Sequence, residues 1–211
     1  MEIVWYGHSC FRFSERGKAT IITDPYDESI GYTLPKLKAD VVTISHQAAG
    51  HSNYENVKGT QRVISGPGEY EIGGVFITGA AMHNVAANPA KANVAYMFDY
   101  DGLKIAHLGD LSLVPHQSTI EAMGTVNIAL VPVGGGGGLN ATQAAEVVGL
   151  LEPNIVIPMH YKTEENVLAL DPVDRFLREM GVSRIQQGET LKVTVSSLPE
   201  QTQIFVLECS R

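Results

Sequence analysis

Four histidines and one aspartate of this chain stand just after apolar, strand-like runs. His46 follows residues 41–44, and His51 lies five positions further along the same segment, Ser45-His46-Gln47-Ala48-Ala49-Gly50-His51. His83 comes a short loop after Phe76-Ile77-Thr78, Asp110 follows residues 103–106, and His160 follows Ile155-Val156-Ile157. Loops at strand ends aim side chains from several strands at one point, and a metal ion needs that convergence of imidazole nitrogens and carboxylate oxygens. Any one of these histidines, taken alone, is more readily a surface or core residue. Together, in the same kind of position, they point to a shared divalent-metal site.

The elements that must position them can be read from periodicity. β-type runs cover residues 2–5, 10–13, 20–23, 41–45, 62–64, 69–72, 75–78, 94–100 and 103–107, with a turn at 15–18 and hairpin turns at Gly73-Gly74 and Asp101-Gly102. Helical spacing then alternates with strands: helices over 116–123, 141–151 and 172–180, strands over 128–133, 155–158, 190–195 and 203–207. Asn140 and Gln143 form a capping-box pattern that starts the second helix. Strands flanking βα units predict an α+β fold, a four-layer αβ/βα sandwich in one domain over residues 1–211.

Composition narrows the function classes. The 211 residues are 44% hydrophobic and 18% charged, as in an ordinary globular protein with a full core. A net charge of -8 and a pI near 5.3 argue against a nucleic-acid backbone as partner. No apolar run reaches about 18 residues, so no membrane partner is expected. The chain starts directly in a strand pattern without a secretory leader, which predicts a cytoplasmic protein. Cys10 and Cys209, both in apolar contexts, are expected to be reduced thiols.

In order and together, several motifs resemble the metallo-β-lactamase superfamily, in particular its small intracellular metal-dependent hydrolases. They are Trp5-Tyr6-Gly7-His8-Ser9-Cys10-Phe11, Asp24-Pro25, Ile44-Ser45-His46, Met82-His83, Leu108-Gly109-Asp110, residues 130–135 and Ile157-Pro158-Met159-His160-Tyr161. The resemblance covers essentially the whole chain and implies that family's fold. The family motif is His-x-His-x-Asp-His; here Ala48 stands for its middle histidine and Gly50 for its aspartate. By position, one metal would use His46 and His83, a second would use His51 and His160, and Asp110 would bridge them. Each half has lost one ligand. Two histidines and a carboxylate suffice for one catalytic zinc or other divalent metal, but without a carboxylate at position 50 a second ion is poorly compensated. The expectation is zero or one ion rather than two. The resemblance places His8 near the site, either as a hydrogen-bonding group in catalysis beside Asp110 or as a structural histidine. His107 is expected to pack, and His116 to lie on the surface.

The run Gly134 to Gly138 joins a strand to a helix, where the subgroup usually reads Gly-Gly-His-Phe-Thr. Gly135 and Gly136 are candidate substrate-binding positions. Two readings stand: a widened, anion-accepting pocket, or a mobile loop that has lost its pocket contacts. For the molecule, the resemblance implies a hydrolase in which one metal activates water against a small-molecule ester, phosphoester, lactone or amide. The alternative is a non-catalytic descendant that binds a ligand or partner. Self-association stays open.

Overall fold

Two mixed sheets face each other across one apolar layer in the computed structural model, which describes residues 1–82, 92–182 and 185–211. The first sheet contains β1 (Glu2–Trp5), β2 (Phe11–Ser14), β3 (Ile21–Thr23), β4 (Val41–Thr43) and β5 (Arg62–Ile64). It is closed at one edge by β13 (Thr190–Lys192), giving the order β13-β1-β2-β3-β4-β5. The second contains β6 (Gly68–Ile72), β7 (Val75–Ala81), β8 (Val94–Tyr100), β9 (Leu103–His107), β10 (Ile128–Pro132), β11 (Ile155–Met159), β12 (Gln186–Gly188) and β14 (Gln203–Leu207). Its order is β12-β14-β11-β10-β9-β8-β7-β6.

Side-chain alternation explains how both faces of the first sheet are buried. Ile3, Trp5, Ile21 and Val41 point into the layer between the sheets, while Val4, Tyr6, Ile22 and Val42 enter a second apolar cluster on the outer face. Over the second sheet lie α1 (Gln117–Met123), α2 (Ala141–Leu151) and α3 (Val173–Glu179), with α2 packed on β10 and against the other two. The outer face of the first sheet is covered differently. Its cover is two 3-10 turns, Glu28–Ile30 and Tyr54–Asn56, and the segment bearing Tyr26, Tyr32 and Leu37. Pro25, Gly31 and Pro35 interrupt that segment, which prevents a continuous helix there.

Most expected elements are present, with bounds shifted for identifiable reasons. β4 stops at Thr43, short of residue 45, because the Ser45 amide donates to Asp24 Oδ1 at 2.7 Å instead of continuing the ladder. β7 runs on to Ala81 because β8 supplies partners as far as Val94. The tail strand ends at Lys192 and passes into a 3-10 turn at Val195–Ser197, with a capping box on Thr194. β12 was not expected: its Gln186-Gln187-Gly188 has no apolar alternation and is held by parallel pairing to β14. The capping box of Asn140 with Gln143 forms as predicted. Cys10 and Cys209 are free thiols. Among the described residues, no helix is long and apolar enough to cross a membrane.

What matters for chemistry is direction. β3, β4 and β5 are mutually parallel, as are β9, β10 and β11. Their C-terminal ends carry the segments with His46 and His51, Asp110, the glycine run and His160 to one edge of the molecule.

Candidate metal centre

At that edge the structure brings together His8, His46, His51, Asp110 and His160; His83 lies outside the described residues. The rings form a packed cluster: centroids are 4.1 Å apart for His46 and His51, 4.1 Å for His8 and His160, and 4.8 Å for His8 and His51. His8, His51 and His160 are buried, while His46 and Asp110 are half-buried. Of the five non-glycine residues with positive φ among those described, three are here: His8 (51°), Asp24 (38°) and His160 (53°). Such backbone costs free energy and persists where the surroundings over-determine it, commonly at functional sites.

Asp24 is the hub behind the cluster. It is fully buried and accepts from the Ser45 amide at 2.7 Å, the Ser45 hydroxyl at 2.5 Å and His51 Nδ1 at 2.8 Å. A carboxylate only accepts, so His51 carries its proton on Nδ1 and keeps the Nε2 lone pair free. The Ser45 hydroxyl spends its one proton on Asp24, and therefore accepts from His46 Nδ1 at 3.2 Å. His46 is thereby also left with a free Nε2. Burial, the largest influence on Asp24, pushes its pKa up, but the electrostatic pull and hydrogen bond of the His51 N–H, with His107 and Ser45, outweigh it and hold the carboxyl below its usual range. Sequence reading found Asp24-Pro25 only as a strand-ending motif; the three donors that make it part of the site come from residues 21 and 27 positions away.

His8 is placed by its own backbone. Its carbonyl accepts from the Trp5 indole at 3.1 Å and from the His160 amide at 3.1 Å, tying the β1–β2 turn to the end of β11. Its Nε2 lies 3.1 Å from His51 Nε2. Two nitrogens bound to one tetrahedral ion at 2.0–2.1 Å would stand roughly 3.3 Å apart, so this pair is spaced for a shared ion. Two three-donor sets result, His8 with His51 and His160, and His46 with His51 and Asp110, each with all donor atoms within 4.8 Å of one another. Buried His8 Nδ1, His160 Nδ1 and Asp110 Oδ1 have no hydrogen-bond partner among the described residues. His160 Nε2 lies 3.5 Å from Asp110 Oδ1, an electrostatic contact rather than a hydrogen bond. Burial lowers the pKa of His8 well below the ordinary value, lowers that of His46, and lowers that of His160 to about 4. Neutral imidazoles are the form that binds a metal. The residues present fit a divalent ion.

Asp110 is aimed by Asn93, a buried residue that sequence reading missed. The Asn93 amide oxygen accepts from the Asp110 backbone N–H at 2.9 Å, and its NH2 donates to the Leu108 carbonyl at 2.9 Å. The glycine run is explained by close approach. A Cβ on Gly134 would collide with the His160 carbonyl, one on Gly136 with Leu170, and one on Gly138 with Asp110 Oδ1. The loop is tied down by Gly135 N to the Leu139 carbonyl (2.9 Å), Gly138 N to the Gly135 carbonyl (3.1 Å) and Asp171 N to the Gly134 carbonyl (2.8 Å). Its glycines thus seat the 168–171 segment and the carboxylate. Gly136 faces the cavity, and Gly135 makes the turn.

The cluster opens into a cavity of about 440 Å³. One wall is apolar, with Ile30, Leu168 and Leu170, and no lysine or arginine is among the described lining residues. His107 packs in the core with Nε2 2.9 Å from the Ser9 carbonyl, and His116 is exposed before α1, as expected. Gln47 is exposed beside the site.

Comparison with known proteins gives concordant matches. Residues 2–160 match the family described as Beta-lactamase superfamily domain. A protein of Thermoplasma acidophilum named as a metal-dependent hydrolase is 31% identical over 205 residues, 83% of this chain and 89% of that one. A crystal structure from Thermotoga maritima, of a candidate Zn-dependent hydrolase of the metallo-beta-lactamase superfamily, is 37% identical. It superposes with a TM-score of 0.82, covering 98% of this chain and 97% of that one. The Igni18 structure from Ignicoccus hospitalis, at 20% identity and a TM-score of 0.67, covers 96% of this chain and 94% of its own and shares the fold.

Proposed function

The chain belongs to the metallo-β-lactamase superfamily, and on that premise we propose that it is a metal-dependent hydrolase that uses one divalent ion on a neutral carbonyl substrate, an ester, lactone or amide. One observation carries the single ion. Both donor sets run through His51, and its Nδ1 is committed to Asp24. His51 therefore offers one lone pair, which serves one ion. Filling either set empties the other.

The ion would be held by residues drawn from His8, His46, His51, Asp110 and His160. When bound, a divalent metal such as zinc lowers the pKa of a water and stabilises negative charge developing on a substrate oxygen. The chain's own groups do the rest. Asp110, fixed through Asn93, presents Oδ1 to orient the attacking water and to take its proton. Asp24 fixes the tautomer of His51 directly and that of His46 through Ser45. Ile30, Leu168 and Leu170 would receive the apolar part of the substrate and exclude water from it. The absence of a lysine or arginine among the described lining residues supports a neutral carbonyl over a phosphoester, whose charge would meet no cationic side chain.

Elemental analysis of the purified protein, paired with hydrolysis of p-nitrophenyl acetate, a γ-lactone and bis(p-nitrophenyl) phosphate, tests this. One metal equivalent, with chelator-sensitive ester or lactone hydrolysis, is the expected result. Two equivalents, or a preference for the phosphodiester, would overturn it.

A further inference from the structure

We infer that His8 is a metal ligand, and that the ion sits on the three imidazoles of His8, His51 and His160. The inference rests on the reading that the chain binds one ion, and it says which of the two competing donor sets holds it.

The backbone of His8 is anchored by Trp5 and by the His160 amide, but among the described residues its side chain has no hydrogen-bond partner outside the histidine cluster. With no ion bound, His8 Nε2 donates to the His51 Nε2 lone pair at 3.1 Å, and its buried Nδ1 has no hydrogen-bond partner among the described residues. A structural histidine normally ties at least one ring nitrogen to a carbonyl or carboxylate, as His107 does through Nε2 with the Ser9 carbonyl. Among the described residues the His8 ring bonds instead only to another histidine of the cluster, through the two nitrogens spaced for a shared ion.

A Cβ built on Gly50 would lie 2.9 Å from His8 Nε2 and 3.2 Å from His8 Cδ2. The His8 ring therefore fills the volume that any side chain at position 50 would need. The carboxylate missing from the motif has not left a hole: an imidazole from the β1–β2 turn stands there. It restores three donors on the half of the site that holds His51 and His160.

The two donor sets differ in burial. His8, His51 and His160 are all buried, which suits neutral nitrogen donors, and all three line the cavity, from which a water can reach the fourth position on the ion. Of the other set, His46 and Asp110 are half-buried. They remain free to meet substrate and water.

The test uses the full chain loaded with zinc, and with cobalt(II) as a spectroscopic probe. X-ray absorption should count three imidazoles around one zinc. His8→Ala should weaken zinc binding by on the order of 100-fold or more in a chelator competition, since even outer partners of a ligand are worth 10–100-fold. It should also shift the cobalt(II) d–d bands. A folding control is built in: in the double variant His8→Ala with Gly50→Asp, the carboxylate enters the vacated volume and zinc affinity should recover by at least about tenfold. Unchanged zinc affinity and imidazole count in His8→Ala would overturn the inference while leaving the single-ion reading intact. So would zinc affinity kept in His8→Ala but lost in His46→Ala. A wild-type chain that takes up no metal would overturn both.

Discussion

At the scale of single residues, the site depends on groups that never meet the substrate. Asp24 holds His51 by its Nδ1 proton and reaches His46 through Ser45, so one buried carboxylate sets two tautomers. Asp24→Asn should therefore cost about 10–100-fold in zinc affinity, because an amide can turn its NH2 toward His51 and favour the wrong tautomer. Competition with a chromogenic chelator measures it, and an unchanged affinity would remove Asp24 from the site. The ligand candidates themselves were legible in the sequence. Strand ends followed by His46, His51, Asp110 and His160 mark them; the resemblance places His8 near the site, as a hydrogen-bonding or structural group and not as a ligand. Asp24 and Asn93 were not legible as parts of the site. Their roles are pairings across the fold, Asp24 with Ser45 and His51, Asn93 with Asp110, and no spacing within one segment encodes them.

At the scale of elements, glycines that look alike in sequence carry opposite requirements. Gly134 follows β10 where the chain passes against the His160 carbonyl and the Tyr161 backbone. Gly134→Ala should destabilise by about 1–3 kcal/mol, since backbone cannot rotate out of the way as a side chain can. Gly149 lies exposed inside α2 with nothing near a Cβ. Gly149→Ala should stabilise by about 0.5–1 kcal/mol. At roughly 2–4 °C per kcal/mol for a chain of this size, thermal melts resolve both signs. Equal effects would mean that the glycine loop is not held as described. The same elements show where sequence patterns run out. β1, β8, β9 and α2 match their expected bounds because apolar periodicity and caps announce them. β12 has two glutamines and a glycine, and exists only because β14 offers it an edge. The cover of the first sheet is a proline- and glycine-broken segment that buries tyrosines, which no helix or strand period describes.

For the whole molecule, the buried histidines link stability to acidity and to metal. Burial lowers the pKa of His160 to about 4, from about 6.5 in the unfolded chain. The unfolded state therefore binds the proton first. The metal-free protein should be at full stability above pH 6.5 and lose it as pH falls toward 4, by about 2 kcal/mol at pH 5 from His160 alone. His8 and His46, also lowered, act in the same direction. Zinc should raise the melting temperature at pH 7 by mass action, and that gain should shrink on acidification as protons compete for the imidazoles. Melts across pH 4–8, with and without chelator, check both; a metal-free protein as stable at pH 5 as at pH 7 contradicts the burial of these rings as neutral groups. The crowding of His8 against position 50 also constrains how this molecule can change. In this arrangement a Cβ at 50 would stand 2.9 Å from His8 Nε2, so a side chain there requires the imidazole to turn aside. An aspartate at 50 therefore fits only with another rotamer of His8, and regaining a second ion would take that turn as well as new side chains at 48 and 50.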